Sequence, residues 1–155
     1  MKPRIQDMHP ELQVKYLAFA GKMAEAHIAF GLSCVIRTRA EQEAFYAQGR
    51  EDLEAVNAKR MTAGMSAITE AQNRIVTHAK ESRHFPDASG HSRAFDIFIM
   101  KDGKLPTWDL KYDGQDDGVP DYQQAAEIGR KCGLECGAFW TGFHDWPHYQ
   151  LPDKA

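Results

Sequence analysis

The sequence predicts an α+β fold: a small antiparallel sheet with helices packed on one face. Three observations carry that expectation. Leu12, Tyr16, Phe19, Met23, Ala26 and Phe30 recur at three- and four-residue steps, which makes one buried helical stripe. Residues 93–100 alternate like a strand and run into Asp102-Gly103, a hairpin signal. Leu134–Cys136 and His148–Leu151 read as short closing strands. The chain has 155 residues, 43% of them apolar, which supplies one core and little room for a second. Nothing repeats and no linker interrupts, so 1–155 is expected to be one domain.

The elements follow in order. Pro10 suits the first turn of a helix over residues 10–30, and Gly31 its stop. Leu32–Ile36 predicts a central strand. Thr38-Arg39-Ala40-Glu41 is a capping box that opens a helix to about Gly49, with Ala44, Phe45 and Gln48 on one face. Arg37 lies between strand and cap, where it either points into a site or pairs with Glu41 on the surface. Residues 51–74 are weakly periodic, with a short helix over 66–73. Ile75–Thr77 reads as a brief strand leading to a turn-rich loop of Pro86, Asp87, Ser89 and Gly90. Asp113–Gly118 is acidic but lacks the spacing and closing Glu of a calcium loop, so a solvated loop is expected. Pro120 opens a helix to about Cys132, with Tyr122, Ala125, Ala126 and Ile128 inward and Gly133 as its stop. Trp140 and Trp146 flank a Gly-rich turn and are expected to wall a pocket.

Charge excludes some partners. A formal net charge of -3 implies no basic face, which argues against nucleic acid and anionic membrane. No apolar run is long enough to span a bilayer. Three cysteines without a C-x-x-C pair are expected as buried free thiols made in a reducing compartment. Residues 1–7 show no secretory h-region.

Two stretches carry the chemistry: Ser82–Asp96 and His144–Tyr149. Two His and one Asp can hold zinc and leave a position open for water. A further carboxylate beside that water can act as general base. Strand alternation puts Ala94, Asp96 and Phe98 on one face and Phe95, Ile97 and Ile99 on the other. Asp96 among bulky apolar neighbours needs a metal, an Arg or a backbone donor; the plainer alternative pairs it with Arg93 or Arg83. Pro147 holds Trp146 extended, so Asp145 and His148 project from a fixed turn. The plainer alternative there is an Asp–His hydrogen bond on a surface loop.

Ser82-x-His84, then Gly90 and Ala94-x-Asp96, with Asp145-x-x-His148 downstream, resembles the zinc peptidases of the VanY-like D-Ala-D-Ala carboxypeptidase superfamily. Within it the chain looks most like the L-alanyl-D-glutamate endopeptidases used as bacteriophage endolysins. Arg37-Thr38-x-x-Glu41-Gln42 and Phe45-Tyr46-Ala47-Gln48-Gly49-Arg50 are similar to the family's Arg-Ser-x-x-Glu-Gln and Leu-Tyr-x-Gln-Gly-Arg. Cys136-Gly137-x-x-Trp140 is similar to its Trp-Gly-Gly-Asp-Trp region, with Cys136 in place of the first Trp. The resemblance runs from about Leu12 to Leu151.

It implies a Hedgehog/D-Ala-D-Ala peptidase-like fold without a separate wall-binding domain. It implies zinc on His84, Asp96 and His148, with Asp145 as general base and Arg37 gripping a substrate carboxylate or polarising the carbonyl. Ser82, Gln42 and Trp140 would support the site or bind substrate. The loop departs from the family's Ser-x-His-x-x-Gly-x-Ala-x-Asp by an insertion of five residues, and His91 inside it is the rival ligand. The implied activity is zinc-dependent cleavage of the L-Ala–D-Glu bond in the peptidoglycan stem peptide, by a monomer. Synthesis in the host cytoplasm and holin-type release to the periplasm would follow. Alternatives are a D-Ala-D-Ala dipeptidase or carboxypeptidase, and a non-catalytic zinc-stabilised wall-binding module.

Overall fold

The computed structural model describes residues 2–153. Pro10 opens α1 (Pro10–Glu25), with the His9 ring accepting from the Glu11 amide at the cap. The helix ends well before Gly31. His27 takes the left-handed turn (φ 58°) and Ile28 N–H returns to Met23 O, a Schellman-type closure. Gly31 instead lies within β1 (Phe30–Cys34), two residues earlier than the predicted strand. A Cβ on Gly31 would sit 2.5 Å from the Phe98 ring, so close aromatic packing, not helix termination, explains this glycine.

The capping box forms as expected at the start of α2 (Arg39–Ala47): Thr38 Oγ1 accepts from Glu41 N, and Glu41 Oε1 from Thr38 N. The weakly periodic stretch holds α3 (Leu53–Thr62), capped by Asp52, which packs on α2. The helix expected over 66–73 is only a 3-10 turn at Glu70–Gln72. Ile75–Thr77 forms no strand; it has no ladder partner, and Ile75 and Val76 stay about half exposed. The predicted hairpin is present: β2 (Ala94–Lys101) turns through Asp102 and Gly103, both at positive φ, into β3 (Leu105–Thr107). Then come α4 (Asp121–Lys131), β4 (Glu135–Cys136) and β5 (His148–Gln150).

All strand pairings are antiparallel, in the order β1-β2-β5-β4, with β3 also on β2. Phe95, Ile97 and Ile99 of β2 are fully buried and meet Leu12, Phe19 and Met23 of α1 and Tyr122, Ala125 and Ala126 of α4. Phe95 stacks on Tyr149 at 5.3 Å, and Phe19 leans on Tyr149 at 5.0 Å. Each such side chain contributes about 1.5–3 kcal/mol when withdrawn from water. That core clamps β2 to β5, and the alternation of β2 then turns Asp96 away from it.

Candidate active site

Register builds the centre of the site. Across the ladder Asp96 opposes His148 on β5 and Cys34 on β1. His84 arrives from the loop before β2. Its backbone is held by Arg37 N–H on His84 O and by His84 N–H on Ser82 Oγ, both near 3 Å. Ser82 thus holds the His84 backbone in place.

The hydrogen bonds assign the ring nitrogens. His84 Nδ1 lies 2.8 Å from Val35 O, a pure acceptor, so the proton is on Nδ1. His84 Nε2 is buried without a hydrogen-bond partner; it lies 3.1 Å from Asp96 Oδ1, but out of line for a hydrogen bond. His148 Nε2 donates to Gln150 Oε1 at 2.8 Å, and its Nδ1 meets the same Asp96 oxygen at 3.1 Å. Two imidazole nitrogens and a carboxylate oxygen therefore converge. That donor set fits zinc, and both outward nitrogens are anchored as metal-binding histidines usually are.

Without a cation, a proton takes the place between them. Burial pushes the His84 imidazolium down, but Asp96 outweighs it and raises His84 to about 10. Burial likewise opposes ionisation of Asp96, yet His84 and His148 hold its carboxyl well below the usual range. The pocket is built to place positive charge beside Asp96.

Asp145 sits on the turn before β5. Its N–H donates to Gly137 O at 3.0 Å, and a Cβ on Gly137 would lie 2.3 Å from Asp145 O, so only glycine permits this approach. Burial first, then the charge of Asp96, raises the Asp145 carboxyl, which favours proton uptake. Arg37 donates to Gln42 Oε1 at 2.9 Å and reaches Asp96 Oδ2 at 3.4 Å, while its guanidinium lies over Phe45. It forms no pair with Glu41, whose carboxylate is used in the cap. Gln42 also donates to Ala79 O, tying α2 to the cleft wall.

These residues line a cleft of about 610 Å³, with Trp140 on its wall 5.0 Å from the His148 ring. Trp146 does not line it and packs partly buried against the core. His91 does not line the cleft either; it is held in its own turn, bonded to Asp87 Oδ1 and Ser89 Oγ. Asp96 takes neither Arg83, which pairs with Asp153, nor Arg93. Cys34 is the residue the sequence reading missed. Cys34, His84 and Asp96 lie close enough together to share a cation. The sulfur, however, approaches His84 at Nδ1 (3.6 Å), the nitrogen already committed to Val35. Only its ladder position opposite Asp96 marks it, and that position is not a sequence pattern.

No family model matches the chain. It is 27% identical over 151 residues to the peptidoglycan L-alanyl-D-glutamate endopeptidase CwlK of Bacillus subtilis (strain 168), a match that covers 96% of this chain and 76% of CwlK. The fold is shared with the crystal structure of the L-Ala D-Glu endopeptidase ChiX of Serratia marcescens, at a TM-score of 0.57 and 19% identity, over 96% of this chain and 83% of ChiX. The expected α+β class and the resemblance to this group of endopeptidases are borne out.

Proposed function

We propose that this protein is a zinc-dependent peptidoglycan hydrolase that cuts the L-Ala–D-Glu bond of the stem peptide. The observation that carries the reading is the convergence of His84 Nε2, His148 Nδ1 and Asp96 Oδ1, with Asp145 beside them in one cleft. Similarity to CwlK over most of the chain supports the substrate.

His84, Asp96 and His148 would hold the ion, which supplies Lewis acidity: it draws charge from a carbonyl oxygen and brings the pKa of water toward about 7. Asp145, raised by burial, takes the proton from the attacking water and returns it to the leaving amine. Arg37 is aimed by Gln42 and Asp96, so its remaining N–H donors can face negative charge growing on the substrate. Trp140 offers a flat wall to the peptide.

Muropeptides digested with the zinc-loaded protein test this directly. New L-Ala carboxyl ends and D-Glu amino ends are expected, and chelation abolishes them. Release of D-Ala instead would move the assignment to a D-Ala-D-Ala dipeptidase or carboxypeptidase. Full wall clearance by Asp145→Ala would contradict the assignment of Asp145 as base. A role as a phage endolysin rests on the motif resemblance alone. Its test is co-expression with a holin in a Gram-negative host: lysis should require both proteins and an intact Asp145.

A further inference from the structure

We propose that Glu135, acting through Gln150, determines which nitrogen of His148 is free to bind metal. This inference rests on the reading that His148 is a ligand. The ladder between β4 and β5 pairs Glu135 with Gln150. Gln150 Nε2 donates to Glu135 Oε2 at 3.0 Å, and the other Glu135 oxygen faces Trp140 Nε1 at 3.4 Å. An ionised carboxylate only accepts. The Gln150 amide must therefore turn its NH2 toward Glu135 and its oxygen away. That oxygen, Oε1, meets His148 Nε2 at 2.8 Å, and it too only accepts. A proton is thus required on Nε2, so that when a cation replaces the proton between Nδ1 and Asp96, Nδ1 is the nitrogen that offers its lone pair.

The chain Glu135, Gln150, His148 has one direction, set by its acceptor-only end. Gln150 and His148 are each 5% exposed, so bulk water cannot readily supply the missing partners if the amide flips. Were it to flip, Gln150 would offer N–H to Nε2, the proton would move to Nδ1, and the metal-facing position would be blocked. Glu135 is therefore a positioning residue that never touches the ion. Its hold on the Trp140 indole ties the same carboxylate to the cleft wall.

The test reads, by ring 15N NMR of the zinc-loaded protein, which His148 nitrogen keeps its proton, and zinc affinity by competition with a chromophoric chelator. Wild type should show the Nε2–H form. Glu135→Gln keeps the shape but lets the amide pair run either way, so mixed tautomers and an affinity about 10-fold weaker are expected. Gln150→Leu should cost about 10–100-fold. The double variant Glu135→Gln/Gln150→Glu restores the direction, since the carboxylate then stands in the middle of the chain and accepts from both neighbours, and should recover most of the loss. A merely structural role predicts that the two losses add. If Gln150→Leu does not fold, the near-isosteric Glu135→Gln and the double variant carry the test. An unchanged tautomer and affinity in Glu135→Gln, or no recovery in the double variant, would overturn the proposal. Wild type that binds no zinc would instead sink the metal reading on which this proposal rests.

Discussion

Asp145→Asn preserves size and removes the base. Turnover on muropeptide should fall about 10²–10⁴-fold, with zinc content unchanged by metal analysis. His84→Ala should lose both zinc and activity, while His91→Ala keeps both, because His91 is bound within its own turn. Loss of metal only in His91→Ala would reverse the ligand assignment. At the thiols, burial pushes Cys136 up to about 12, so at pH 8 almost none is thiolate. Cys136 should resist a thiol reagent in the native protein and react only on unfolding, as mass mapping of labelled peptides would show. That His84, Asp96, Asp145 and His148 would meet in one cleft was legible because their types and order match a motif. Cys34 was not, since a single cysteine in an apolar run carries no local signal.

Among the elements, β2 decides the most. One side of it faces the core through Phe95, Ile97 and Ile99, and the other presents Asp96, so a one-residue slip would turn Asp96 into the core and expose the apolar residues. Its alternation was readable directly. Capping was readable too: Thr38→Ala should cost about 0.5–2 kcal/mol in denaturant unfolding, because the capping box at the start of α2 loses its hydroxyl acceptor. By contrast α3 escaped notice, since among its residues only Val56 is buried and no apolar stripe stands out. The β-rich Ile75-Val76-Thr77 misled in the other direction. No strand edge lies beside it, and without a ladder β-propensity alone forms no strand.

Taken as a whole molecule, the candidate site draws on β2, β5 and a loop held to the end of β1, so on the proposed reading metal binding would be linked to folding. Zinc at about 100 times its Kd should add about 2.7 kcal/mol. For a chain of this size that raises Tm by about 5–10 °C, read by calorimetry with zinc against chelator. An identical Tm in both would rule out a metal held by the native fold. The architecture itself was expected from helix stripes, a hairpin signal and short closing runs, and it formed.

Periodicity, caps, turn residues and motif order are properties of neighbours along the chain. They determined by themselves the α+β class, the antiparallel hairpin, the capping box and which residues were candidates for the chemistry. Only the tertiary structure decided that Trp146 serves the core, that His91 stands apart, that Cys34 sits behind His84, and which ring nitrogen of each histidine faces Asp96. Those outcomes depend on hydrogen bonds and contacts between strands far apart in sequence, and no local pattern encodes which acceptor a ring nitrogen will meet.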